Sequence, residues 1–194
     1  DVYYIGNQEM ARVRKGEITF YNLDGDEIEK ELKTVEWDAE AAEKAGYEHF
    51  MMKEIHEQPK AVSDTLNSVV KDGAIDLSEV GLSEEEIKEI SQIYIVACGS
   101  AYHVGVAAQY VMEDLARIPV RVELASEFRY RNPILDPKGL VIIISQSGET
   151  ADSLAALRES KKQGVKTLGI VNVIGSSIAR EADNVFYTLA GPEI

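Results

Sequence analysis

Leu140-Val141-Ile142-Ile143-Ile144-Ser145-Gln146-Ser147-Gly148-Glu149-Thr150 is the stretch on which the reading of this chain turns. Its first five residues form an unbroken apolar run rich in β-branched side chains, the pattern of a strand buried on both faces of a parallel sheet. Ala151 to Gln163 then reads as a helix, stopped by Gly164. Ser145, Ser147 and Thr150 therefore crowd one turn between a strand and a helix, with Gln146 beside them. A helix N-terminus offers unbonded N–H groups and the positive end of the helix dipole. Such a turn suits an anion, most economically a phosphate monoester. The competing reading is plain Ser/Thr capping, but capping needs one hydroxyl and this turn carries three.

The same rhythm extends on both sides. Ile93 to Ala97 reads as a strand, followed by Cys98-Gly99-Ser100 and a helix from about Ala101 to Arg117. Val120 to Leu124 is a strand, Ser126 to Tyr130 a short helical turn and Val165 to Asn172 a strand. Ser177 to Glu181 is a short helix and Asn184 to Leu189 a last strand. Alternation at this spacing predicts a doubly wound α/β sandwich over about residues 60–194, with a mainly parallel sheet of about five strands and helices on both faces. In such sheets ligands lie beyond the carboxyl ends of the strands, at a topological switch point. Two loops qualify, Cys98 to Ala101 and Ser145 to Thr150; Gly175-Ser176-Ser177 reads as a helix cap.

Upstream the pattern differs. Residues 1–34 alternate apolar and polar side chains, with turns at Lys15-Gly16 and Asp24-Gly25, and predict a short antiparallel hairpin or meander over residues 10–34. It is too small to bury a core alone, so a larger neighbouring domain is expected. Trp37 to Lys44 and His49 to Gln58 read as two short helical segments. Pro59 is expected at the start of a further helix reaching Val70, where its missing N–H costs little. Ser83-Glu84-Glu85-Glu86 is a capping box opening another short helix.

The 194 residues carry 34 acidic and 20 basic side chains, a formal net charge of −14. That argues against nucleic acid and against anionic membrane surfaces as partners. Any phosphate site must then be electrostatically local. The acidic excess gathers between Asp24 and Glu89, whereas the 140–150 turn carries only Glu149. A single cysteine, Cys98, permits no internal disulfide and fits a cytoplasmic setting. The chain opens Asp1-Val2-Tyr3-Tyr4, with neither an initiator Met nor the basic start of a signal peptide, so a piece of a longer protein is expected.

Several chemistries find no support. Gly99-Ser100-Ala101-Tyr102-His103 lacks the later glycines of a dinucleotide fingerprint, and no Gly-Lys-Ser/Thr phosphate loop is present. Ser145 occupies the position where a hydrolase nucleophile elbow around Ser147 would need glycine. His49, His56 and His103 are scattered, so neither metal nor cofactor is expected. Cys98 reads as a small core residue before it reads as a nucleophile. His103 stands in a helix's first turn, either solvated or with a direct role. Glu149 is either a base or hydroxyl acceptor, or an exposed loop carboxylate.

Ser145-Gln146-Ser147-Gly148-Glu149-Thr150-Ala151-Asp152 resembles the sugar-phosphate-binding loop of sugar isomerase (SIS) domains. Three more stretches narrow the match: His49 to Pro59, Ala97-Cys98-Gly99-Ser100, and Glu123 to Arg131. Together they resemble the glutamine–fructose-6-phosphate aminotransferase (isomerising), or glucosamine-6-phosphate synthase, family. The resemblance covers nearly the whole chain. It implies the tail of a glutaminase domain over residues 1–34, a linker over 35–60 and a first SIS domain of flavodoxin-like fold over 61–194. It also implies a cytoplasmic homodimer. The family makes glucosamine 6-phosphate from fructose 6-phosphate and glutamine. Its N-terminal cysteine nucleophile, its isomerase acid–base residues and its C-terminal lysine have no counterpart here, so the resemblance implies a chain without catalytic residues of its own. It carries over Ser145, Gln146, Ser147 and Thr150 as phosphate and sugar ligands, and Ser100 as the match of a family threonine. Ala101 departs from the family pattern, which has a phosphate-contacting serine there. A non-catalytic SIS module that senses a sugar phosphate is the alternative; such a sensor has no need of residues 1–60.

Overall fold

The computed structural model describes residues 2–34 and 43–192, and the chain divides into two compact units, residues 1–43 and 44–194. Part of the helical segment expected at Trp37 to Lys44 lies outside the described residues.

In the first unit, β1 (Met10–Arg14), β2 (Glu17–Tyr21) and β3 (Glu27–Ile28) form an antiparallel meander in the order β1-β2-β3. Both expected turns are present. The second is closed by Asn22, whose side-chain oxygen accepts from the Asp26 N–H at 2.9 Å. Phe20 is the buried residue among those described in this unit, its ring 4.9 Å from that of Tyr3.

The second unit opens with α1 (Phe50–Asn67), then a two-residue-per-strand hairpin, β4 (Val70–Lys71) and β5 (Ala74–Ile75), turning at Asp72-Gly73. A 3-10 turn (Ser78–Val80) leads to α2 (Glu84–Glu89), whose capping box joins Ser83 and Glu86 in both directions. There follow β6 (Gln92–Ala97), α3 (Gly99–Ala116), β7 (Val120–Leu124), α4 (Ala125–Phe128), β8 (Gly139–Ser145) and α5 (Ala151–Lys162). The unit closes with β9 (Lys166–Val171), α6 (Ser177–Glu181) and β10 (Asn184–Tyr187). The five long-range strands pair in the order β10-β9-β8-β6-β7, every pair parallel. The chain leaves β6 toward one edge to make β7, then crosses back to pair β8 with the other side of β6. This is the flavodoxin-like order, with its switch point between β6 and β8.

Alternation along the strands divides the core into two layers. Tyr94, Val96, Val141 and Ile143 face α4, α5 and α6, packing with Phe128, Leu157 and Ile178. Ile93, Ile95, Leu140 and Ile142 face the other side, with Val80, Leu82, Ala108 and Met112. The unit is thus an α/β sandwich of three layers.

One expectation is corrected. His49 to Gln58 and Lys60 to Val70 are not separate helices: α1 runs through Pro59. Pro59 and Ile55 are both exposed, so water can reach the Ile55 carbonyl that the proline leaves unbonded, and the break is not forced. The β4–β5 hairpin, too short for a periodicity signal, was not anticipated.

Gly105 is where α3 touches the sheet. A Cβ there would lie 2.8 Å from Ile95 Cγ2 and 3.0 Å from Val122 Cγ1. Alanine gains about 1 kcal/mol in helix propensity, but overpacking costs about 1–3 kcal/mol. Gly105→Ala is therefore expected to destabilise the unit by about 1 kcal/mol net, measured by urea unfolding. A stabilised variant would show that α3 does not lie this close to β6.

Candidate functional site: the turns after β6 and β8

Because Ala97 pairs with Ile144 and Ser145 with Val171, the chain leaves β6, β8 and β9 side by side at the carboxyl end of the sheet. The turns at Cys98 and Ser145 therefore open onto the same place. A weak Ser153 Oγ–Cys98 Sγ contact at 3.8 Å bridges α5 to the start of α3, with Ser153 fully buried.

The 145–150 turn is organised by its own hydroxyls. Ser145, buried at the end of β8, accepts the Gly148 N–H at 3.1 Å and shares a 3.1 Å hydrogen bond with Thr150 Oγ1, in which either oxygen serves as donor. Ser147 is half-buried, and its Oγ accepts the Glu149 N–H at 3.2 Å. Gln146 is exposed, while its carbonyl accepts the Asn172 N–H at 3.0 Å and extends the β8–β9 ladder. Thr150 is the N-cap of α5, yet its side chain makes no capping bond. The first N–H groups of α5, which no helical carbonyl reaches, are left to a ligand or to water. α3 has the same arrangement: Cys98 is its N-cap without a side-chain bond, and Ser100 is exposed in its first turn with half-buried Ala101 after it.

Ser145, Gln146, Ser147 and Thr150 thus share one turn, and Ser100 stands on the turn from the neighbouring strand. His103 lies exposed further along α3, its ring 5.3 Å from that of Tyr102. Glu149 is engaged: its Oε1 accepts the Ser177 N–H at 2.7 Å, at the start of α6. Gly175-Ser176-Ser177 does begin a helix, but the Ser176 hydroxyl makes no cap bond.

Two features were not legible beforehand. Arg129 Nη1 reaches Asp152 Oδ1 at 2.6 Å, so the one carboxylate in the first turn of α5 is paired. This hydrogen bond holds the Arg129 guanidinium above its ordinary pKa. A cleft of about 340 Å³ also adjoins the turn, lined by Gln146, Asn172 and Gly191 and by Met51, Ile55 and Gln58 of α1. No residue pattern could have joined α1 to the 146 turn, because they lie about ninety residues apart and meet only in the fold. A groove of about 670 Å³ along residues 75–87 has no such hydroxyl-rich turn.

The sandwich and this pair of turns at its switch point define a class, and comparison with known proteins agrees. The SIS domain model matches residues 86–194, and the chain belongs to that family. Over its full length it is 55% identical to the glutamine–fructose-6-phosphate aminotransferase (isomerising) of Clostridium acetobutylicum, covering 32% of that protein. It is 58% identical over 160 residues to the corresponding enzyme of Mycolicibacterium paratuberculosis, covering 82% of this chain and 26% of that one. The chain thus spans about a third of the length of the curated relatives it matches. Among solved structures, the C-terminal domain of glucosamine-fructose-6-phosphate aminotransferase from Francisella tularensis superposes with a TM-score of 0.74 and 48% identity, over 78% of this chain and 43% of that one.

Gly148 is the conformational keystone of the turn. Its φ is +66°, and a Cβ would stand 2.0 Å from Ser176 Oγ. The left-handed backbone costs a non-glycine residue about 1–3 kcal/mol, and the clash adds to it. Gly148→Ala is expected to lower stability by at least about 2 kcal/mol in urea unfolding. A loss below about 0.5 kcal/mol would mean that the turn does not hold this conformation.

Proposed function

We propose that this chain is the sugar-phosphate-binding part of a glutamine–fructose-6-phosphate aminotransferase (isomerising). Residues 1–34 are the tail of its glutaminase domain, 35–60 a linker and 61–194 its first SIS domain. The observation that carries this reading is the hydroxyl-rich turn at the switch point of an SIS sandwich, in a chain whose full length resembles those enzymes. That the likeness includes residues 1–60, which a sugar-phosphate sensor would not need, favours the enzyme.

On this reading Ser145, Gln146, Ser147, Thr150 and Ser100 bind fructose 6-phosphate and glucosamine 6-phosphate. The phosphate sits over the N-terminus of α5, taking hydrogen bonds from its first N–H groups and from the turn. Ser145 and Thr150 share one bond between two hydroxyls, so one of them keeps a proton for a phosphate oxygen. Gln146, exposed beside the cleft, is available to sugar hydroxyls. The 194 residues bind and position the substrate and contain no catalytic residue. The parent enzyme is a cytoplasmic homodimer, in keeping with the prevalence of two-fold symmetry.

Each charge-assisted hydrogen bond contributes about 1.5–3 kcal/mol, and association and ordering cost about 4–15 kcal/mol. The balance leaves binding to this chain at roughly millimolar dissociation constants. Ser147→Ala removes a ligand hydroxyl and the acceptor of the Glu149 N–H, and is expected to abolish it. An NMR titration of both proteins with fructose 6-phosphate tests this. Shifts at residues 145–153 in the wild type alone are expected; equal shifts in both, or shifts confined to residues 2–34, would overturn the assignment.

A further inference from the structure

The 145–150 turn and the start of α6 satisfy one another. An N-cap serine ordinarily accepts an N–H from the first turn of its own helix. Ser176, the N-cap of α6, does not: the residue is 3% exposed and its buried hydroxyl has no hydrogen-bond partner among the described residues. The turn supplies the acceptors instead. Glu149 Oε1 takes the Ser177 N–H at 2.7 Å, and the Gly148 carbonyl takes the Ile178 N–H at 3.0 Å. Ser176 Oγ meanwhile fills the space a side chain at position 148 would occupy. The Gly148 and Glu149 N–H groups are already bonded to Ser145 and Ser147. Both peptides in the middle of the turn are thus pinned, from within by the serines and from behind by α6. Ser147 and Thr150 are left on the side where α5 begins.

We propose that Glu149 is a positioning residue: by capping α6 it holds the turn in the shape that receives the phosphate, and it takes no part as an acid or base. This rests on the sugar-phosphate reading above. Its geometry has a second consequence. A carboxylate beside a phosphate would repel it, but here its Oε1 is engaged by the Ser177 N–H at the start of another helix.

The test uses five forms of the chain: wild type, Glu149→Ala, Glu149→Gln, Ser177→Pro and the double variant carrying Glu149→Ala and Ser177→Pro. Glutamine keeps an acceptor oxygen in place while losing the charge. Proline removes the donor from the other partner at the first helical position, where it is tolerated. Each is titrated with fructose 6-phosphate by NMR, and amide exchange at Ser177 and Ile178 is followed without ligand. Loss of this charge-assisted bond is expected to raise the dissociation constant about five- to twentyfold in Glu149→Ala and Ser177→Pro. The doubly substituted chain should be no weaker than either, because both remove one interaction. Glu149→Gln should stay within about threefold of wild type, since it retains a hydrogen bond. Exchange at Ile178 should quicken in Glu149→Ala and stay slow in Glu149→Gln. Wild-type affinity in both Glu149→Ala and Ser177→Pro overturns the proposal, as does glutamine binding as poorly as alanine, which would assign the carboxylate an acid–base or charge role. Unchanged exchange in Glu149→Ala refutes the clamp and leaves the site reading standing. A wild-type chain that gives no shifts at residues 145–153 refutes the site reading, and the proposal with it.

Discussion

The parallel pairing of β6 with β8 fixes where everything else on the sugar-isomerase sandwich can happen. With Ala97 opposite Ile144, the chain leaves both strands at the same level and turns into α3 and α5. Because β7 lies on one side of β6 and β8 on the other, the helices that follow β6 and β8 pack on opposite faces of the sheet. A crevice between two helix N-termini is the geometric result, and an anion is what such a crevice favours electrostatically. Neither turn could supply it alone, and a slip of one residue in the β6–β8 register would send the alternating core residues to the wrong layers.

The chain's charge poses a problem that this arrangement solves locally. A net charge of −14 disfavours any anion at long range. Within the turn and the first turn of α5, however, both carboxylates are committed, while Glu54 and Glu57 of α1 line the adjoining cleft. Asp152 is paired with Arg129, and Glu149 lies against the Ser177 N–H. What the turn itself presents is then mainly hydroxyl and backbone N–H. The groups proposed to receive a ligand also build the turn, since Ser145 and Ser147 each accept a loop N–H. A single hydroxyl-to-methyl change in this turn therefore alters both its shape and its chemistry.

The sheet was legible because its strands are long apolar runs: Ile93 to Ala97 and Leu140 to Ile144 permit no other placement at this spacing. The turn was legible because three hydroxyls between such a strand and a helix exceed what capping requires. Local grammar misled at Pro59, which usually opens a helix but here lies inside one, where an exposed carbonyl can be hydrated. It was silent at Asp72-Gly73, where two-residue strands carry no period. The commitment of Glu149 to α6 and the pairing of Arg129 with Asp152 join residues 28 and 23 positions apart. Sequence spacing holds no information on such pairs, and Glu149 accordingly read as a base or a solvated carboxylate.

Whether the phosphate of a sugar phosphate sits over the N-terminus of α5, within the 145–150 turn, is decided by a crystal structure of this chain grown with glucosamine 6-phosphate. Phosphate oxygens are expected within hydrogen-bonding distance of Ser147 Oγ and of the first N–H groups of α5, with Glu149 still bonded to Ser177. A phosphate bound elsewhere on the chain, or a Glu149 carboxylate swung from α6 to the sugar, would contradict this placement.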